Sequence, residues 1–430
     1  MKFPLGRVLL AMSARLATAP LTAISAAVST YIAVHYAGVE TFGFISLLGT
    51  LFLLIPFSDL GLGAAVVNAV SVKDRGPSED AAARDVTARA FRALALVGIG
   101  VIAIAALLSV SSAWRVILAV PPQISGDLNF AAFCVFLAVG VGIPFGLGQR
   151  ILVGANATHL STLIMAISSI IAVAVTAITV ALSGPPLLIS TATPIGLCVA
   201  AFLSTAAGLR RLKWSFPELM RARVPVTERN SLWKPAVPMM VVLVGAPLAL
   251  QSHRLILAHY GAPSDLAQYS VGAQFYAPAL SIVTTGALAL WPHFASTRTG
   301  REGGWKLSVL LMGALGLFGA TALTLLLAPI SQIVTGGRAP VGAPLAIGFG
   351  VLLLVMSLHQ PSAMLLTDAS GLWFQAGCIV AFAITTVPAS ILAVGILGAS
   401  GPLFATAATV TVTTLIPCIL RARKVLRKEL

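Results

Sequence analysis

The chain has 430 residues, 58% of them hydrophobic and 9% charged, with a formal net charge of +14. Soluble domains carry about 25% charged residues, so this composition, with a mean hydropathy of +0.98, excludes a water-soluble globular protein. A bilayer core is crossed by roughly 20 apolar residues per helix, and the long unbroken apolar runs lack the alternation of barrel strands. The fold expected is therefore an all-α polytopic membrane protein.

Apolar runs between charged or turn-rich breaks predict about twelve spans, near 14 to 36, 43 to 70, 91 to 112, 129 to 153, 159 to 182, 187 to 208, 235 to 258, 267 to 294, 307 to 328, 342 to 366, 372 to 396 and 402 to 420. The opening KFPLGRVLLAMSARLATA imitates a secretory signal, but Arg15 interrupts its apolar region and further spans follow, so it reads as a retained first helix. In that helix Arg15, Thr18, Thr22, Ser25 and Ser29 recur at steps of three and four. They form one polar face, which looks either onto a water-filled cavity or onto other helices. Asp59, in PFSDLGLG of the second span, is the one carboxylate well inside a span. It either relays a proton or pairs with a cation such as Arg15.

The polar segment SVKDRGPSEDAAARDVTARAFR, from Ser71, reads as a cytoplasmic amphipathic helix that either lies on lipid headgroups or binds a partner. Ser78 is its expected N-cap, and Glu79 and Asp80 suit the dipole of its first turn. In the fourth span AVGVGIPFGLGQR, from Ala138, holds four glycines and Pro144. That pattern predicts either a kink beside a cavity or close helix packing through small residues.

The longest internal basic break, Arg210 to Lys234, divides the chain into an N-terminal six-helix lobe (1–209), a cytoplasmic basic linker (210–234), a C-terminal six-helix lobe (235–420) and a basic cytoplasmic tail (421–430). AVHYAGVETFGFIS, from Ala33, is echoed by LAHYGAPSDLAQYS, from Leu257, with His35 and His259 224 positions apart. Because six spans is an even number, the halves enter the membrane in the same direction. They are expected as two parallel-repeat lobes around a central cavity.

The second half carries the stronger polar candidates. Arg254 follows several apolar helical turns, with Gln251 on the same face and His253 beside it. An arginine at mid-depth costs about 2.5–3.5 kcal/mol on insertion scales and calls for a partner, although proximity to the outer interface would also accommodate it. Gln274 in the eighth span and His359 in the tenth add hydrogen-bonding groups at depth.

Of 27 Lys and Arg, 23 fall on one side of these spans, and the positive-inside rule places both termini in the cytoplasm. The positive charge then means anchoring to anionic membrane lipids, with no nucleic-acid partner expected. All six Trp lie near span ends, as in an interfacial belt. Cys134, Cys198, Cys378 and Cys418 each stand alone, with no C-x-x-C and no metal-spaced His. No metal and no cofactor are expected. The usual ATPase, metalloprotease and hydrolase motifs are absent, so no enzyme is expected.

These residues resemble the Wzx-type polysaccharide flippases of the multidrug/oligosaccharidyl-lipid/polysaccharide exporter superfamily. The resemblance lies in HYAGVETFGFIS and PFSDLGLGAAVV of the first two spans and in QSHRLILAHYGAPSDLAQYSVGAQFY of the seventh and eighth. Gly38, Glu40, Phe42 and Gly43 match the family's turn, and Asp59, Gly61 and Leu62 its second-span step. The chain departs from the family at His253-Arg254, where members often carry Asp-Arg, and at Asn68, where a basic residue is common.

The resemblance implies a bacterial inner-membrane transporter that flips a polyprenyl-pyrophosphate-linked oligosaccharide to the outer leaflet by alternating access. A glycan polymerase and glycosyltransferases are its implied partners. The residues agree with an anionic cargo, since guanidinium forks match pyrophosphate oxygens. The binding residues expected are Arg15, Thr18, Thr22, Gln251, His253, Arg254, Gln274 and His359. The alternative is a multidrug or organic-cation antiporter of the same superfamily, which would need cavity carboxylates.

Overall fold

A computed structural model describes residues 5–51, 62–71, 76–124, 127–155, 157–221, 245, 249–288, 290, 294 and 301–427. Among these residues the regular structure is helical, with no strand. Among the described residues seven stretches are long and apolar enough to cross a membrane, and the chain is an all-α polytopic membrane protein. It divides into two compact units, one of Met1–Tyr36 and Leu48–Trp233, the other of Ala37–Leu47 and Lys234–Leu430.

In the first unit α1 (Leu5–Ala37) carries Pro20 within its length. It stops at Gly38, whose φ of +84° is accessible to glycine without strain. Helix α2 (Val39–Thr50) follows at once and passes from the second unit into the first at Leu48. After α3 (Leu62–Ser71) comes α4 (Pro77–Val110), a single helix of 34 residues.

This helix corrects the expectation of a separate amphipathic helix on the membrane surface, because the polar segment continues without a break into the third span. Its N-cap is Gly76, not Ser78, and the Glu79 carboxylate accepts the Gly76 N–H at 3.2 Å. Some of its polar side chains bond to other parts of the unit, while Ser78, Glu79 and Arg89 are exposed. Asp80 accepts the indole N–H of Trp214 at 3.1 Å and pairs with Arg84 at 2.9 Å, while Arg92 donates to the Met220 carbonyl at 2.7 Å. A protein partner on that face is favoured because the short helix α10 (Phe216–Arg221) otherwise leaves its last carbonyls unpaired.

The short α5 (Trp114–Leu118) leads to α6 (Leu128–Phe145), which is separated from α7 (Leu147–Gly154) by Gly146. The glycine-rich span thus both breaks and packs closely. A Cβ on Gly98 of α4 or on Gly140 of α6 would strike the other's carbonyl oxygen, and one on Gly148 would strike the backbone at Thr205 of α9 (Ala192–Leu212). The Thr205 hydroxyl donates to the Phe145 carbonyl at 2.7 Å, supplying a donor where the break disturbs the helix ladder. Helix α8 (Thr158–Ala181) completes this unit.

The second unit contains a helix over 249–260, here α11, then α12 (Pro263–Leu288), α13 (Arg301–Thr335), α14 (Ala343–Leu365), α15 (Ala369–Leu397), α16 (Gly401–Val410) and α17 (Ile416–Arg427). A π-helical stretch, Thr411–Leu415, joins α16 to α17, and α17 runs past residue 421 through most of the basic C-terminal segment. Asp368 caps α15 by accepting the Gly371 N–H at 3.2 Å. The buried Gln375 amide donates to the carbonyls of Ala363 and Leu366 at 3.2 and 2.7 Å, satisfying the end of α14.

The His-Tyr echo is structural as well as textual. His35 donates its ring N–H to the Tyr31 carbonyl at 2.8 Å, and His259 donates to the Leu255 carbonyl at 2.9 Å. Phe42 N–H to Gly38 O and Leu266 N–H to Ala262 O are another pair at the same offset. Gly43 packs against the backbone of Ala267, its own counterpart in the repeat. The aromatic ends differ: Tyr36 donates to the Gly184 carbonyl at 2.7 Å, whereas Tyr260 is exposed.

The tryptophan expectation needs correction. Trp114, Trp214 and Trp305 are buried, with their indole N–H groups bonded to Ser109, Asp80 and Ser362. Among the described tryptophans only Trp373 is exposed like a belt residue, because burial of an indole is cheap once its one donor is paired. Trp233 and Trp291 lie outside the described residues.

Candidate functional site

The polar cluster of the second unit is built on α11. Apolar neighbours hold this helix in place, with Ala249, Ile256 and Leu257 buried. His253 and Arg254 then necessarily point in different directions, being 100° apart on the helix.

His253 is 1% exposed and braces three helices. Its Nδ1 lies 2.9 Å from the Tyr269 hydroxyl of α12, and its Nε2 lies 2.6 Å from the Thr406 hydroxyl of α16. A neutral imidazole offers one donor and one acceptor, and both are used here.

Arg254 is 7% exposed and differently served. One terminal N–H group donates to the Gln251 side-chain oxygen at 3.0 Å, and the guanidinium carbon sits 5.6 Å from the centre of the Tyr269 ring. Its Nε has no hydrogen-bond partner, and no carboxylate lies within ion-pair distance among the described residues. Tyr269 and, two turns further along α12, Tyr276 each lie 5.4 Å from Phe349 of α14 in tilted contact, and the buried Tyr276 hydroxyl lacks a partner. The arrangement holds a full positive charge and spare hydrogen-bonding capacity in an aromatic surround. An anion with several acceptor oxygens complements such a group.

A separate cavity of about 190 Å³ lies in the same unit. It is lined by Leu250 of α11, His359 and Gln360 of α14, Cys378 of α15, Thr414 of the π stretch and Cys418 of α17. Cys378 and Cys418, far apart in the sequence, both line this cavity as free thiols. π segments carry an extra residue per turn and often mark functional positions, and here one places the Thr414 side chain at the cavity wall.

The sequence-derived candidates therefore fall into groups. Gln251 and Arg254 touch, His253 lies beside them facing the helix bundle, and His359 lines the cavity one helix turn further along α11 at Leu250. Gln274 is half-buried on α12. Thr18 and Thr22 are half-buried on α1 in the first unit. The Arg15 side chain and the whole of Asp59 lie outside the described residues. Tyr269, Tyr276, Phe349, Thr406 and Gln375 were not singled out from the sequence. Only Tyr269 had a signal there, as part of the echoed segment.

No family model and no curated protein matches this chain. Solved structures do. An inward-facing multidrug-resistance MATE family transporter of the MOP superfamily aligns at a TM-score of 0.67 with 14% identity, covering 97% of this chain and 98% of that one. The lipid II flippase MurJ, in an inward closed conformation, aligns at 0.69 with 14% identity, covering 96% and 87%. The MATE multidrug transporter DinF-BH in complex with R6G aligns at 0.63 with 14% identity, covering 97% and 94%. The chain thus has the fold that these MATE transporters and MurJ share.

Proposed function

We propose that this protein is a transporter that moves a polyprenyl-pyrophosphate-linked oligosaccharide from the cytoplasmic to the outer leaflet of a bacterial inner membrane by alternating access, for surface polysaccharide synthesis. The observation that carries the proposal is Arg254, a buried guanidinium with one neutral hydrogen bond, an unpartnered Nε and no described carboxylate beside it. Pyrophosphate supplies the missing negative charge and fork-shaped acceptor pattern. Gln251 orients the guanidinium from its own helix.

The organic-cation alternative calls for acidic groups where the membrane interior is driest. None of the nine described carboxylates is buried; Asp59, the acid that the sequence puts inside a span, lies outside the described residues. Glu40, Glu79, Asp265, Glu302 and Asp368 sit in or next to the first turns of their helices, where the helix dipole favours them.

The test is reconstitution in liposomes containing a polyprenyl-pyrophosphate-linked sugar with a fluorescent label. Wild-type protein should move the label across the bilayer, and the Arg254→Ala protein should not. Proton exchange for a lipophilic cation, with the labelled lipid left in its original leaflet, would reject the proposal.

A further inference from the structure

A second cationic site lies away from Arg254, at the basic end of α13 and α17. The first turns of α13 present Glu302, Trp305 and Lys306 on one face, and the last turns of α17 present Arg423 and Arg427 one turn apart. Together they line a cavity of about 380 Å³. Glu302 and Lys306 pair with each other at 2.7 Å, so the arginines supply the excess charge. Neither arginine has a carboxylate within ion-pair distance among the described residues.

The base of this cavity is built of apolar side chains. Trp305 and Leu426 are buried together with Phe294, Leu365 and Ala422, and the Trp305 indole N–H is bonded to Ser362. At the flank of the cavity Leu310 lies one turn on from Lys306, with Leu307 and Leu311 further round α13, and the three are 69%, 55% and 57% exposed. A stretch starting at Glu302 is apolar enough to cross a membrane, so these leucines belong to its lipid-facing surface. The site therefore has cations at its mouth and a greasy track leading away from it.

We infer that this cavity binds the phosphate of an anionic glycerophospholipid headgroup, with the acyl chains lying along the exposed leucines of α13. Free phosphate would use the cations alone and leave the apolar track unexplained. A basic pocket between membrane helices at their charged ends is suited to such headgroups. The inference is independent of the transported substrate.

The experiment uses the full-length protein in a neutral detergent, with native mass spectrometry reading retained lipid. Phosphatidylglycerol and phosphatidylcholine of matched chains are offered in equal amounts, and inorganic phosphate serves as a competitor. Each cation near a membrane surface contributes about a five-fold preference. Arg423→Gln with Arg427→Gln should then lower the preference for phosphatidylglycerol on the order of 25-fold, at an unchanged melting temperature. Arg427→Gln alone, at the exposed end of α17, provides the reading if the double variant does not fold, with a drop near five-fold. Millimolar phosphate should not displace the lipid. Equal retention of the two lipids by wild type, unchanged preference in the folded variants, or full displacement by phosphate would each overturn the inference.

Discussion

Replacing Arg254 by Gln separates a binding role from a structural one. The guanidinium makes one hydrogen bond, to Gln251, and one ring contact, to Tyr269. A charge-assisted bond is worth about 1.5–3 kcal/mol and a desolvated cation–π contact about 2. Against these stands the insertion cost of about 2.5–3.5 kcal/mol for a charged residue in the membrane. The balance leaves about 0–2.5 kcal/mol in favour of the arginine, and among the described residues no buried carboxylate is orphaned when the charge goes, which is what makes breaking an ordinary buried ion pair so damaging.

Stability of the Gln variant should therefore fall by no more than about 2.5 kcal/mol, a shift of a few degrees in thermal unfolding. Binding should suffer far more. Losing one or two charge-assisted bonds to a pyrophosphate, at about 1.5–3 kcal/mol, weakens affinity about 10- to 150-fold. The assay pairs thermal unfolding in detergent with titration of a short-chain prenyl pyrophosphate on the same preparation. Unchanged affinity in a folded variant would refute the reasoning. So would a fall of many degrees in melting temperature, which would mark Arg254 as a structural strut.

Other expectations follow from the packing. Gly98→Ala should destabilise by about 1–3 kcal/mol, because its Cβ meets the Gly140 backbone. Gly100→Ala, two residues along the same helix with nothing within 4 Å, should be neutral or gain up to about 1 kcal/mol of helix propensity; equal melting temperatures for the two variants would contradict the close crossing of α4 and α6. Thr205→Val should cost about 1–3 kcal/mol by removing the donor to the Phe145 carbonyl, read by thermal unfolding with Thr162→Val, on an exposed residue face, as the control. Thr406→Val should cost a similar amount, since it leaves one buried nitrogen of His253 without its partner, and a double variant with His253→Phe should recover part of the loss.

How much was legible depended on the range of the interaction. The spans from 129 to 153 and 342 to 366 were readable because continuous apolar runs meet a bilayer requirement that is local in sequence. The echo at His35 and His259 was readable for a similar reason: each histidine bonds a carbonyl four residues back, so repeated letters give repeated geometry. The misreading at 71–92 came from treating charge as a sign of the membrane surface. Charged turns are equally at home against a partner helix, and Trp214 sits 134 positions from Asp80.

At the candidate site the same division holds. Arg254 and Gln251 were visible together because three residues on a helix share a face. Tyr269, Thr406 and Phe349 were not, since ordinary aromatic and hydroxyl residues acquire a role only from what packs on them.

By itself the sequence determined that this chain is a helical membrane protein with a repeated segment and an arginine deep in its second half, because hydropathy and helical spacing act over a few turns. Tertiary structure alone decided that His253 is saturated by Tyr269 and Thr406, that Cys378 and Cys418 line one cavity, and that Arg254 is left with an unpartnered Nε and no described acid beside it. Whether a buried charge is compensated depends on groups brought in from other helices, and spacing along one helix does not carry that information.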